Sequence, residues 1–581
     1  MRCPVSHHSL ANRSRQLALL GLLLLATSLA FASEPGDHLN VREVLNPRPE
    51  LRSPAPTPVF QLPTAGVPDP STRNEKQAPT ATDPILRRVV FEGNLAIPAH
   101  DLEALAEPWI GLPANIADLE MLRLEVTRHY VKRGYVNSGA LLESRSVAND
   151  GTIKLRLIEG RLADLRIQDL DGLDEEYVRR RLLPELDTPL NIEYLRERFQ
   201  LLLDDPLFAR LNARLIPGSR LGEAFVELDA QRSRPYQLKF HLDNHRSPSI
   251  GELGLGVGGW IRNLTGRGDL LDGSLQQSVQ DQHAYRASMG WSVPIRFDGT
   301  TAQFRADQGQ SSVIEEPLQA AGIKSELRSI EVGVSHKLFE NLRHRLAIGA
   351  SHSWRVNQTW LGGQPFSFVA GEADGRVTVG TSRFWQEYTY RSEQQVIALR
   401  STFSASRNNL NLAPVLQDNS RAASSYQNWL AQVQYIRRLN DGGVQLAARL
   451  TRQHASSRML AMDGLSIGGL HTVRGFRENQ LIRDRGHIIN LEFEIPISPT
   501  TSPLTPMRIV PFIDHGVGRN IGQETSSITS AGIGLRWRWG AYEANLSVAH
   551  PLSKSANVTL GRGTLQDSGI QFQLSYDFFG N

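Results

Sequence analysis

The sequence predicts a transmembrane antiparallel β-barrel of about 16 strands preceded by two small α+β domains. Three observations predict it. The chain opens with a segment patterned for export; residues 84 to 234 read as two copies of one strand-helix-helix-strand-strand unit; and from residue 235 apolar and polar residues alternate at period two almost to the last residue.

Residues 1–32 carry the export pattern. Arg2, Arg13 and Arg15 form a basic start, Leu17 to Leu29 is apolar, and Ala30-Phe31-Ala32 is an A-x-A cleavage site. The apolar run falls short of the ~20 residues that a membrane helix needs, so the segment reads as a removable signal peptide. Its loss takes away Cys3, the one cysteine of the chain, and brings the formal charge of +3 to zero. Disulfides, cysteine-zinc sites and thiol chemistry are thereby excluded, and the balanced charge argues against a nucleic-acid partner.

Residues 33–83 contain ten prolines and few large apolar side chains, the composition of an extended linker. The first α+β unit, 84–160, has the strand residues Leu86, Val89, Val90 and Phe91, a turn at Gly93-Asn94, and a helix with Leu119, Leu122, Val126 and Tyr130 on one face. Strands through Ile153 to Ile158 close it. The second unit, 161–234, repeats the order from Leu165 and Ile167 through two helices to strands near 207–216 and 223–230.

Residues 235–581 form the third part, rich in glycine. Ile489, Leu491, Phe493, Ile495 and Ile497 alternate with Asn490, Glu492 and Glu494; Ile570, Phe572, Leu574, Tyr576 and Phe578 alternate with Gln571, Gln573, Ser575 and Asp577. Strands with one oily and one wet face suit a soluble sheet or a membrane barrel. Hundreds of residues of near-continuous hairpins behind an export signal favour the barrel, at about 22 residues per strand and connection.

The order of parts resembles the TpsB transporters of two-partner secretion, the family of haemolysin and filamentous-haemagglutinin exporters. In that resemblance the α+β units are POTRA domains. Phe91-Glu92-Gly93-Asn94, Arg133-Gly134-Tyr135 and Ile158-Glu159-Gly160 match the first, and Asp243-Asn244 and Asn263-Leu264-Thr265-Gly266-Arg267-Gly268-Asp269 are similar to the family's early barrel. The sharpest match is Gly468-Gly469-Leu470-His471-Thr472-Val473-Arg474-Gly475-Phe476-Arg477-Glu478-Asn479.

The resemblance implies a loop, around 464–486, folded into the barrel lumen with Val473, Arg474, Gly475 and Phe476 at its tip. It pairs Arg474 with the aspartate of an F-x-D-x-G motif on the inner wall, here Phe512, Asp514 and Gly516. Periodicity supports half of this independently: if Ile509, Pro511 and Ile513 face lipid, Phe512 and Asp514 face the lumen. The resemblance further implies a type V secretion pore in the bacterial outer membrane, with periplasmic POTRA domains that bind a large secreted cargo of the TpsA type, and export without ATP. Some members of that family plug the pore with a short N-terminal helix, and residues 36–46 are the stretch of this chain where such a helix would fall. Other implied partners are outer-membrane lipid and, during biogenesis, the barrel-assembly machinery and periplasmic chaperones; the barrel is expected to be monomeric. An outer-membrane assembly or insertase factor of the same superfamily is the alternative reading.

Other motifs carry less. Gly464-Leu465-Ser466-Ile467-Gly468 fits G-x-S-x-G, but a glycine-rich loop follows where a hydrolase needs a helix. His241 and His245 are four residues apart at a strand end, with rings roughly 13 Å apart, too far to share a metal. No catalytic, cofactor or metal site is expected.

Overall fold

The computed structural model describes residues 83–143, 147–183, 188–411, 421–497, 507–553 and 563–580, together with the backbone of the two-residue strand β1 (Phe60–Gln61). The signal segment, the plug helix over 36–46 and, apart from β1 and residue 83, the linker lie outside the described residues. The chain divides into two compact units that meet in sequence at Arg234 and Pro235.

The first unit holds two copies of one topology. In the first copy β2 (Arg88–Glu92) is followed by helices α1 (Ala99–Ala106) and α2 (Ile116–Lys132), then β3 (Gly139–Leu142) and β4 (Thr152–Ile158). The last strand is central, parallel to β2 and antiparallel to β3. Asn115 caps α2 with Asp118 in a reciprocal capping box, and the helix buries Leu119, Leu122, Val126 and Tyr130 against Leu86, Ile153 and Leu155.

The second copy runs β5 (Arg161–Gln168), α3 (Glu175–Leu182), α4 (Ile192–Leu203), β6 (Phe208–Pro217) and β7 (Glu223–Arg232). Again the last strand is central, parallel to the first and antiparallel to β6. On the free side of β6, β1 adds two residues in parallel, Phe60 opposite Ala213. The copies are tied together through the turn after α2: the Asn191 amide donates to Arg133 O, Ile192 N to Gly134 O, and the Asn137 amide to Gly222 O.

The second unit is a closed antiparallel barrel of sixteen long strands. These are β8 (Tyr236–Asp243), β9 (Gly254–Arg262), β10 (Leu270–Ser278), β11 (Tyr285–Arg296), β12 (Thr300–Ser312) and β13 (Lys324–Glu340). They continue with β14 (His344–Leu361), which carries the short strand β15 (Gln364–Pro365), then β16 (Arg376–Arg391), β17 (Gln395–Asn408), β18 (Ser425–Arg438) and β19 (Gln445–Ala455). A small inner hairpin of β20 (Leu465–Ile467) and β21 (Leu481–Arg483) interrupts the meander. It resumes with β22 (Arg485–Pro496), β23 (Met507–Arg519), β24 (Thr525–Trp539), β25 (Tyr542–Pro551) and β26 (Ile570–Asp577).

Alternation decides which way each side chain points. On β23, Ile513 is 45% exposed while Asp514 is 0% exposed; on β16, Phe384 is exposed while Thr381 is buried. Oily residues therefore face outward and polar ones line the lumen, the arrangement of a barrel in lipid. The ring closes where β26 meets β8 through five residue pairs, Gln573 opposite Asp243 to Asp577 opposite Lys239. The chain enters β8 at what is here termed the near rim. The connections after β8, β12, β19 and β25 all lie at the opposite, far rim.

Candidate functional site

The connection from β19 to β22 folds back inside the barrel. Its apolar residues Leu465, Ile467, Val473 and Phe476 pack with wall residues Ile488 and Ile528. Gly516 of β23 makes room for this seat, because a Cβ there would stand 2.3 Å from Ile467 Cγ2 and 2.9 Å from Val473 Cγ2. At the tip Gly475 has φ +83°, and a side chain on it would meet Ala549 Cβ at 2.9 Å. Only glycine combines that backbone with that approach.

Arg474 is the polar centre of the seat. Its Nε donates to Asp514 Oδ2 at 2.7 Å, its Nη2 to Asp514 Oδ1 at 2.9 Å, and its backbone N–H to Oδ2 at 3.1 Å. Its Nη1 also lies 2.9 Å from Glu492 Oε1, and the guanidinium sits 3.4 Å from the centre of the Phe512 ring. The Asn490 amide donates to Asp514 Oδ1 at 2.8 Å and also to Thr472 O. Glu492 is shared with Arg536 of β24 at 2.8 Å. Arg474 thus faces two carboxylates in a fork geometry, almost without solvent, which is the arrangement that gives strong charge-assisted bonds. The structure brings Val473, Arg474, Gly475, Phe476, Phe512, Asp514 and Gly516 into one locus.

Three further anchors hold the inner hairpin. Arg477 grips Glu315 at 2.9 Å and Asp567 at 2.5 and 2.7 Å, carboxylates from two different far-rim loops. Beside it Glu478 N donates to Gln566 Oε1, and the Gln566 amide donates to the carbonyls of Asn244 and Arg246 across the β26–β8 closure. At the hairpin base Asp463 accepts Arg355 Nη2 of β14 at 2.6 Å and the Tyr426 hydroxyl of β18 at 2.5 Å. Here the charges are reversed relative to the tip, with the loop supplying the acid and the wall the arginine. Asp484 closes the base by accepting Met459 N and Ile521 N. Sequence reasoning misses these partners, because each is one charged residue among many on an alternating strand or loop.

The remaining residues singled out in the sequence have ordinary places. The Ser466 hydroxyl bonds to Asn479. His241 lies 3.7 Å from Asp243, and the ring of His471 meets that of His245 edge-on at 5.9 Å. Among the described residues no group of three histidine, cysteine, aspartate or glutamate side chains is placed to hold a metal. In the first POTRA-like copy Glu159 accepts Leu95 N at 2.8 Å, Ala96 N at 2.9 Å and the Tyr130 hydroxyl at 2.8 Å, so it fixes the turn after β2 to α2. Burial, and then that bond to Glu159, push the Tyr130 phenol well above its usual range.

Residues 222–537, more than half of the chain, match the model of the family described as haemolysin secretion/activation protein ShlB/FhaC/HecB, and residues 85–160 match the ShlB-type POTRA domain. The heme/hemopexin transporter protein HuxB of Haemophilus influenzae strain 86-028NP is 23% identical over 490 residues, covering 81% of this chain and 83% of its own. The outer membrane transporter CdiB of Dickeya dadantii is 22% identical over 504 residues, covering 83% and 85%. Among solved structures, CdiB from Escherichia coli superposes with a TM-score of 0.66 at 18% identity over 100% of both chains. BamA from Haemophilus ducreyi lacking POTRA domains 1–3 does so with 0.51 at 13% identity over 85% of this chain and 100% of that one. At these identities the superpositions speak for the fold.

Proposed function

The chain belongs to the ShlB/FhaC/HecB family of haemolysin secretion/activation proteins, transporters of the bacterial outer membrane, and from that premise we propose that it exports one large partner protein without ATP. A sixteen-stranded barrel is wide enough to leave an aqueous bore, and the lumen side chains of this one are largely arginine, carboxylate, amide and hydroxyl. Such a wall hydrates an unfolded chain over most of its surface.

The observation that carries the reading is the inner hairpin, seated in that bore by ion pairs and a small apolar cluster and by no covalent bond. A lid held this way can leave the wall when cargo arrives and return afterwards. In this reading Val473, Arg474, Gly475 and Phe476 form the latch, and Phe512, Asp514 and Gly516 form its keeper. Residues 1–32 are the export signal, 33–83 a periplasmic linker with a plug helix at 36–46, and 161–234 a second POTRA domain. The POTRA domains capture the unfolded secretion domain of the cargo by adding a strand at a sheet edge. Folding of the cargo outside then pulls the rest through.

The test compares culture medium with periplasm for the large exported protein expected to be encoded beside this gene, in wild type and a null strain. Loss of the cargo from the medium, with other barrel proteins at normal abundance, supports the exporter. Export that persists while other barrel proteins become scarce supports an assembly factor instead.

A further inference from the structure

The outer face of the barrel carries a basic cluster that has no part in the lumen. It is built on three neighbouring strands at the far rim: Arg452 and His454 on β19, Arg485 and His487 on β22, His515 and Arg519 on β23. The residues between them fix the direction of these side chains. Gln453 bonds to the hairpin carbonyls of Asp463 and Asp484, Ile488 packs on the hairpin, and side chains on Gly516 and Gly518 would collide with it. Those positions face the lumen, so the six basic residues face out.

Register brings the cluster together. Arg452 stands opposite His487, Arg485 stands opposite Arg519, and the rings of His487 and His515 are 6.2 Å apart. Arg485 Nε donates to Ala455 O at 2.8 Å and the His515 ring meets the Thr529 hydroxyl, while Arg452, His454 and Arg519 are exposed. Among the described residues no carboxylate lies within ion-pairing range of Arg452, Arg485 or Arg519, in contrast to the lumen arginines Arg305, Arg355, Arg474 and Arg536. Like charges set opposite one another on a sheet destabilise it unless an anion joins them.

Depth in the membrane selects the anion. Toward the near rim the same face turns oily, with Leu450, Ile489 and Ile513 exposed and then Phe493, Ile495 and Ile497. Along β22 the outward apolar residues Ile489 to Ile497 span eight steps, roughly 27 Å of strand or about 20 Å of membrane thickness at the usual tilt. The cluster therefore lies at the upper edge of the apolar band. Because the chain passes from periplasmic POTRA sequence into β8 at the near rim, this edge belongs to the leaflet facing the cell exterior.

We propose that Arg452, Arg485 and Arg519, assisted by the three histidines, bind the phosphorylated sugar headgroup of an outer-leaflet glycolipid. The fork of a guanidinium fits phosphate oxygens in pairs, and acyl chains of the same molecule would lie on Ile489 and Ile513 below. The bound lipid would neutralise the repulsion between Arg485 and Arg519.

Native mass spectrometry of the delipidated full-length chain tests this with deep-rough lipopolysaccharide, its enzymatically dephosphorylated form, phosphatidylglycerol and inorganic phosphate as separate probes. Wild type should retain the phosphorylated glycolipid at least ~tenfold more tightly than the dephosphorylated form. Neither phosphatidylglycerol nor inorganic phosphate in tenfold excess should displace it. The triple variant R452Q/R485Q/R519Q should lose that preference while keeping the heat-modifiable migration of a folded barrel. Equal retention of the phosphorylated and dephosphorylated forms by wild type would overturn the proposal without recourse to any variant. Displacement by either competitor, or unchanged retention by a folded triple variant, would overturn it too.

Discussion

Replacing either half of the hairpin latch should release the tip from the wall, and the two halves should differ in a stated order. Asp514→Ala removes three hydrogen bonds to Arg474 but leaves the guanidinium beside Glu492 at 2.9 Å. Breaking a buried pair costs about 3–5 kcal/mol, and the surviving partner puts this variant near the lower end. Arg474→Ala leaves Asp514 buried with only the Asn490 amide and the tip backbone, and also removes the cation from the Phe512 ring, worth about 1 kcal/mol or more. It belongs near the upper end. The seated-to-released ratio should then fall about 150-fold for Asp514→Ala and a few thousand-fold for Arg474→Ala. The double variant should fall close to Arg474→Ala, since the pair is one interaction. A cysteine at fully buried Val473, the one thiol of the chain once residues 1–32 are removed, reads this as the rate of thiol labelling of the barrel in detergent. Labelling rates within threefold of the parent for both variants would refute the assigned burial and coupling.

Three other outcomes follow from the same geometry. Arg355→Ala should free the hairpin base by about 3 kcal/mol and speed labelling at Met462 more than at Val473, whereas equal acceleration at both would mean that base and tip are a single unit. In Ile467→Cys/Gly516→Cys, a Cβ on residue 516 stands 3.7 Å from that of residue 467, within the span of a disulfide, so oxidation should lower export below the level of the same variant when reduced. Export undiminished by a fully formed crosslink would show that the hairpin need not leave the wall. In α2, burial first and Arg133 second hold the His129 pKa below its usual 6.5. Its contribution to stability is complete above pH 6.5 and is lost as pH falls through the lowered value, so the hydrogen-exchange protection factors of residues 116–132, corrected for the intrinsic pH dependence of exchange, should fall at acid pH, and His129→Gln should flatten that dependence.

Much of the architecture is legible because it rests on local periodicity. Leu119, Leu122, Val126 and Tyr130 announce the buried face of α2, and the alternation from Ile489 to Ile497 announces both faces of β22. The tip residues are legible through motif resemblance, with the lumen direction of Asp514 following from the pleat alone. What stays hidden is partnership at long range. Alternation marks Glu492 as facing the lumen, yet nothing local joins it to Arg474. Arg355 and Asp463 are 108 residues apart, and Arg477 and Glu315 are 162 apart. Such pairs depend on strand order around a closed ring and on how far a loop reaches across it, and neither quantity leaves a mark in a window of sequence. The outward cluster at Arg452, Arg485 and Arg519 is hidden for the same reason, since register across three strands assembles it.

The most direct test of export without ATP is reconstitution. Proteoliposomes carrying the purified full-length chain, with residues 84–234 outward, are mixed with the unfolded partner protein in the absence of nucleotide, and protease is added. Full-length partner should become protected inside vesicles that carry the chain and not in empty ones. Absence of protection, or protection that appears only when ATP is supplied, would contradict export without ATP.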